Sequence, residues 1–412
     1  MTVDIGFANY ENALKTLYLN DVTIQDLVND DNPLLAMLSK ATNFVGDTLP
    51  QPVIDAYNQG NSSTFTNALA NQTGGQILKF SLTRFPIYGL ATIDRQTMLA
   101  SKSDKGAFLP AAEFAIDGAF VGLANQMSQA LYGDGAGVIG QISTFTSGVI
   151  VLVNPDSAIN FEVGMTLGAW TTYSGGVVAT AAAGLGYVVA VDQDSGQISV
   201  SATQGGPAGT PSGWSASLPY LVQDGNANAQ PPGLLGWIPY DRSGLATLFF
   251  GVNRSVNPSR LAGASYDGTG ETVEEAVLSA SSKLSKLSKA KPDALFVSPT
   301  VFNQLEKSLQ GRAIYIEHKE GNIGFTGIKV QGAKGPITVF QDRSNTTVYG
   351  WMLTMKHWKI RSLMSCPHIV QDDITGNILR VADQDAFQVR LAGYWVLACE
   401  MPAANCVVKF QS

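Results

Sequence analysis

A chain of 412 residues has room for two or three domains, and with 42 glycines, 18 prolines and only 14 % charged residues it reads as turn-rich and rich in β-structure. Its net charge of −7, from 26 basic and 33 acidic residues, excludes the basic surface that a tight grip on nucleic-acid phosphates requires. It does not exclude a container for nucleic acid, whose walls need not hold the contents.

Taken in order, residues 1–34 form a poor core. Short helices are expected over 7–19 and 23–28, and Asn29-Asp30-Asp31-Asn32-Pro33 breaks the second. The stretch reads equally as an arm that leans on another surface or as helix packed on its own domain. Residues 34–38 are apolar, and Pro50 and Pro52 then force an extended path. Leu78, Phe80 and Leu82 alternate with Lys79, Ser81 and Thr83, the period of a half-buried strand, and a second extended run follows over 87–98. Residues 71–75 and 86–89 are both turn-like, so the hairpin tip stays open between them. The excursion over 65–100 carries too little apolar content for its own core, and a two-stranded ribbon is marginal alone in water. Its burial is expected on another surface, and deleting residues 66–98 is expected to leave a folded protein that does not assemble.

Residues 110–135 read as one long helix. Pro110 suits a first turn, Ile116, Phe120, Leu123, Met127 and Leu131 recur at helical spacing, and Gly133 supplies the stop. The opposite face carries Asn125, Gln126, Ser128 and Gln129. Composition then changes abruptly: residues 143–230 contain no Lys or Arg. Short apolar or alternating runs are separated there by turn residues, with Asp194-Ser195-Gly196 and Ser174-Gly175-Gly176 as hairpin turns. This predicts a small all-β barrel or sandwich inserted as a unit, with its ends near 140–142 and 233–237 as neighbours.

The remainder alternates helix and strand. Thr272 and Glu275 have capping-box spacing, and Val273, Ala276, Val277, Ala280, Leu284 and Leu287 line one helical face. A buried strand over 294–298 leads to a helix capped by Ser298 with Pro299 in its first turn, from which Val301, Phe302, Leu305 and Leu309 face inward. Strands are expected over 323–330, 337–341, 347–353, 387–399 and 405–410. The 272–353 pattern is that of an α/β layer domain.

Catalytic patterns are lacking. His318, His357 and His368 share no metal-ligand spacing, and Cys366, Cys399 and Cys406 read as reduced, mostly buried thiols. The run Gly133 to Gly137 closes a helix, whereas a dinucleotide fingerprint opens one. The acid pairs Glu274-Glu275, Asp372-Asp373 and Asp383/Asp385 read as helix start and solvated turns. The Lys283, Lys286, Lys289 and Lys291 stripe lies towards a helix end, where cations suit the macrodipole. No catalytic, cofactor-binding or metal-binding residue is assigned. The opening residues lack a signal-peptide pattern, no run reaches the roughly 20 apolar residues of a bilayer span, and a soluble protein made in a cytoplasm is expected. The Asn-x-Ser/Thr triplets at Asn61, Asn71 and Asn345 therefore read as chance matches.

An arm, a ribbon, a long helix and two sheet domains without a catalytic constellation point to many-subunit assembly. Across residues 32–38 (NPLLAML), 60–65 (GNSSTF), 84–101 (RFPIYGLATIDRQTMLAS), 106–108 (GAF), 131–137 (LYGDGAG), 293–299 (DALFVSP), 337–342 (ITVFQD) and 398–410 (ACEMPAANCVVKF), the chain resembles a tailed-bacteriophage major capsid protein of the Hong Kong 97 fold. The resemblance implies an α+β fold with an N-terminal arm at 1–50 and an extended loop at 51–105. It further implies the spine helix of a peripheral domain within 106–142, an axial domain over 231–375, and C-terminal strands over 376–412 that complete the peripheral domain. The β-rich segment 143–230 departs from the minimal fold as an inserted domain. The implied function is structural: hexamers and pentamers of one chain forming an icosahedral shell around double-stranded DNA, without sequence-specific binding and without a membrane. A separate scaffolding protein, a portal and decoration proteins are implied partners, with the virion as location and assembly in the host bacterial cytoplasm. Some relatives cross-link through a lysine and an asparagine, but no matching motif assigns that role to Lys79 or Asn405. The alternatives are an encapsulin-type bacterial compartment, a β-rich adhesin or glycan-binding protein using Trp170, Trp214 and Tyr220, and a hydrolase acting through scattered acids.

Overall fold

A computed structural model describes residues 32–94, 105–217, 219–309, 315–320, 323–370, 379–380 and 386–410. The helices expected over 7–19 and 23–28 and the acid pairs at 372–373 and 383/385 lie outside these residues. The fold is mixed α+β.

The chain enters through a short buried helix, α1 (Pro33–Met37), and strand β1 (Ser39–Ala41). Strands β2 (Thr48–Ala56) and β3 (Gln76–Thr83) pair antiparallel as a separate ribbon, and the short helix α2 (Phe65–Ala70) sits in the loop between them. Strand β4 (Phe85–Asp94) does not return along β3. It pairs along its whole length with the long C-terminal strand 386–399. The ribbon's second arm is therefore the proline-bearing stretch before it, and its tip lies within 57–75. The physical reason is that β3 and β4 bury different neighbours. Phe80 of β3 packs on Trp237 and Phe249, with ring centroids 5.2 and 6.2 Å away. Ile87 and Ala91 of β4 lie in the same core but on the side where the long helix packs on β4. Deleting 66–98 would remove this sheet strand together with the ribbon tip, so that deletion does not separate assembly from folding.

The long helix α3 (Lys105–Tyr132) begins five residues before Pro110, which therefore lies in its second turn. At its 28 residues it is about 42 Å long. Ile116, Phe120, Leu123, Met127 and Leu131 are all buried, as their spacing predicts. Ser128, assigned to the polar face, is buried too, and its hydroxyl has no hydrogen-bond partner.

The next strands are β5 (Val138–Thr146), β6 (Val149–Leu152), β7 (Thr166–Ser174), β8 (Val177–Ala181), β9 (Gly186–Asp192), β10 (Gln197–Ser201) and β11 (Tyr220–Gln223). Because β11 bonds to both β5 and β7, the sheet closes on itself in the order β5-β6-β10-β9-β7-β11, with β8 appended to β7. Closure removes the edges that would otherwise pair with other chains. Inside lie Ile142, Ile150, Phe161, Leu167, Ile198, Trp214 and Leu221. Both expected hairpin turns are present, with Gly175, Gly176 and Gly196 at positive φ. The closed sheet starts at Val138, somewhat before 143. Where the chain comes back, Gly233 donates its backbone N–H to Gly133 at 3.1 Å.

A third sheet combines β12 (Ala264–Asp267), β13 (Ala294–Val297), β14 (Tyr315–Glu320), β15 (Ile323–Gly332), β16 (Gly335–Gln341), β17 (Tyr349–Leu353) and, at the end of the chain, residues 406–409. Helices α4 (Val273–Leu287) and α5 (Pro299–Leu309) cover it with their apolar faces. The capping box closes as expected: Glu275 N–H donates to the Thr272 hydroxyl, and Thr272 N–H to the Glu275 carboxylate at 3.1 Å. The last sheet packs under α3 and joins β1, β4, β18 (Trp358–Ser362), β19 (His368–Ile369), β20 (Leu379–Arg380) and β21 (Ala386–Cys399).

The final strand, β22 (Cys406–Lys409), corrects one expectation. It lies between β12 and β17 in the α/β sheet and does not join β21. Cys406, Val407 and Val408 are all buried, as a strand covered on both faces requires. The sheet under α3 takes β18 and β19 instead, from within the 231–375 stretch.

Candidate interaction surface

The ribbon β2–β3 is buried at its base and bare at its tip. Leu82 and Phe80 are fully buried, and Phe80 meets an aromatic bed around Trp237, whose indole N–H donates to the Leu397 carbonyl at 2.9 Å. From the Ile54–Ile77 pair outward the apolar side chains face solvent: Phe65 is 83 % exposed and Ile77 68 %, with Ile54, Tyr57 and Leu69 also exposed. Between residues 48 and 83 the only charges are Asp55 and Lys79. Scattered apolar residues on a surface need no explanation, but five on one projecting, nearly uncharged arm mark an interaction surface.

The arm offers its faces rather than its edge. Ser81 donates its backbone N–H away from the ribbon to Phe250 at 2.9 Å, so its partner Pro50 and the next outward residue, Pro52, occupy the outward N–H positions of β2. Their rings remove those donors and blunt the free edge.

The other groups singled out by sequence have structural roles or stand apart. Among the described residues no three His, Cys, Asp or Glu side chains gather to hold a metal. His357 and His368 lie on separate elements, and the His318 side chain falls outside the described set. The cysteines are free thiols, and burial pushes Cys366 and Cys406 up to about 12. Lys283 donates to the Ser265 carbonyl at 2.6 Å and lies over the Tyr266 ring. Trp214 is core, with its N–H donated to Gly184 at 2.7 Å. Trp170 and Tyr220 are half-buried, Tyr220 against Tyr173, so the three aromatics form no open platform. Asn345 is buried and holds its own turn through Thr347 and Tyr349. Asn405 is buried and accepts from Thr354 N–H and the Trp358 indole, both at 2.9 Å. Lys79 is exposed on the ribbon.

Sequence reasoning missed two junctions. Asp342, at the end of β16, accepts from the Tyr132 hydroxyl at 2.8 Å, from Leu34 N–H at 3.2 Å and from Ser344 N–H at 2.8 Å. Burial outweighs these three donors and holds its carboxyl above the ordinary range; the Tyr132 phenol is raised well above its own, by burial first and the carboxylate second. Arg254, buried with no acid paired to it among the described residues, donates to the carbonyls of Gly236 and Trp237 and lies 4.0 Å over Phe249; desolvation lowers it to about 10. The signal for both was a charged residue inside an apolar stretch.

No family profile and no curated protein matches the chain by sequence. By structure it matches the cyanophage A-1(L) capsid asymmetric unit over 92 % of each chain, with a TM-score of 0.54 at 14 % identity, which shows a shared fold. Fainter likenesses include the capsid of the native GTA particle, at TM-score 0.43, 9 % identity and coverage of 92 % of this chain and 90 % of the other. Mycobacterium phage Ogopogo stands at 0.43 and 10 %, covering 92 % of this chain and 91 % of the other. These two carry no argument by themselves.

Proposed function

We propose that the chain is a structural protein, the major capsid protein of a tailed phage, which assembles with copies of itself into hexamers and pentamers of an icosahedral shell around double-stranded DNA. The observation that carries this reading is a fold shared along nearly the whole chain with a cyanophage capsid subunit, together with the projecting apolar ribbon. In Hong Kong 97 terms, residues 1–50 are the arm, and the extended loop placed at 51–105 is narrowed to the β2–β3 ribbon, since β4 belongs to the sheet with β21. Residues 106–142 carry the spine helix, 143–230 the inserted domain and 231–375 most of the axial domain, whose sheet β22 joins, while β18, β19 and β21 belong to the sheet under the spine helix. The reading assigns no catalysis, cofactor or metal.

Assembly energy comes from burying the ribbon tip on a neighbouring copy; obligate interfaces often exceed about 2,000 Å². The acidic balance of the chain, at net charge −7, leaves packaged DNA loosely held on the interior wall. A separate scaffolding protein, a portal and decoration proteins are the remaining partners, and the shell forms in the bacterial cytoplasm before it becomes the virion. Electron microscopy of the chain expressed with its neighbouring genes tests this. Closed shells that contain nucleic acid are expected; shells filled with a protein cargo would make it a bacterial compartment, and absence of shells would overturn it.

A further inference from the structure

We propose that Arg260 and Asn257 act as positioning residues: they clasp the ribbon at Asp55 and fix the angle at which its tip is presented to a second copy of the chain. The clasp's role in assembly rests on the shell reading above; the clasp itself does not.

Three observations meet at one point. The β2–β3 register slips between Ile54 and Ala56, because Ile54 faces Ile77 while Ala56 faces Gln76. Asp55 is therefore the extra residue of a bulge, a feature that bends a strand and re-aims the chain beyond it. Its carbonyl, out of step with the ladder, is taken by two side chains of the body: the Arg260 guanidinium donates to it at 2.9 Å and the Asn257 amide at 3.0 Å. The same guanidinium lies 4.5 Å from the centre of the Tyr57 ring, so one residue grips the strand on both sides of Ala56. Arg260 is itself held by the short helix Pro258–Leu261, whose Leu261 is fully buried.

The clasp also holds Asp55 against a penalty. Its side chain is buried, and Oδ1 has no hydrogen-bond partner. An unmet buried acceptor favours release into water. Release of the strand would hydrate Asp55, and the donors from Arg260 and Asn257 hold the clasped arrangement against it. Since Phe65 and Leu69 both lie beyond this point, a change of angle there moves the apolar tip as a lever.

The test uses the full chain with Arg260→Ala/Asn257→Ala, with Arg260→Lys, and with Thr272→Ala as a control that weakens the body far from the ribbon. Amide hydrogen exchange over residues 53–59 of the unassembled chain is expected to speed up by about tenfold in the double variant and to stay unchanged in the control. Sedimentation is expected to show few or irregular particles for the double variant and regular particles for the control. Arg260→Lys, which keeps a donor but not the flat stack on Tyr57, should fall between. Unchanged exchange overturns the clasp. Faster exchange with normal particles overturns its role in assembly. If the unaltered chain forms no particles, the shell reading fails and the exchange arm alone decides the clasp.

Discussion

Tyr132, the last residue of the long helix, donates its hydroxyl to Asp342 at 2.8 Å, although 210 residues separate them. Both are buried, and the same carboxyl takes the N–H of Leu34 where the chain enters the fold. One acid thus ties the entry segment, the long helix and the α/β sheet. Replacing Tyr132 with Phe leaves that carboxyl short of a donor and is expected to cost about 1–3 kcal/mol, read as a lower denaturation midpoint.

The pH dependence of this junction has a definite sign. Asp342 titrates higher folded than unfolded, because burial disfavours its charge. The folded state therefore binds the proton more tightly, and the contribution is full below the unfolded value near 3.8 and is lost as pH rises through the raised one. Tyr132 lowers that folded value, so Tyr132→Phe should extend the falling limb to higher pH. Asp342→Asn should flatten it. Denaturation midpoints across mildly acidic pH check both.

At the ribbon tip, Phe65→Asp with Ile77→Lys should abolish assembly while leaving the melting temperature within a few degrees, since both side chains are exposed. Replacing residues 58–74 by a short glycine linker should act the same way, because β4 and its sheet stay intact. Circular dichroism beside sedimentation separates loss of assembly from loss of fold.

The closed sheet has its own core and a hydrogen-bonded return of the chain between Val222 and Val138. A fragment spanning 137–226 is expected to melt cooperatively by itself. Trp214→Ala should cost it about 3–5 kcal/mol and unfold much of the population at room temperature. A non-cooperative melt of the unaltered fragment would contradict this.

Thr272→Ala removes the hydroxyl that accepts from Glu275 N–H at 3.3 Å and should cost about 1 kcal/mol, measured by chemical denaturation.

Local patterns were the legible part of the sequence. The buried face of α3, the capping box at Thr272 and the turns at Gly175 and Gly196 come from spacing and backbone preference alone. Partner choice between strands was not legible, because residues 48–56, 76–83 and 85–94 all read as extended. Phe80 settles β3 through contact with Trp237, and β4 is settled by ten-residue pairing with β21. Likewise β22 comes after β21 in sequence but belongs to another sheet, a choice made by burial on both of its faces. The ribbon was legible only in part: β3 fell inside the excursion expected over 65–100, but its partner β2 lay before it and β4 belonged to another sheet, and the clasp at Asp55 was not legible, since Arg260 lies some two hundred residues away.

The most direct test of the central claim is the mass of the particles that the chain forms when expressed with its neighbouring genes, read by sedimentation and single-particle mass measurement. Particles of megadalton mass, many times the 43.6 kDa of one chain, are the expected result. A discrete monomer or dimer, with the ribbon tip left in water, would contradict the account.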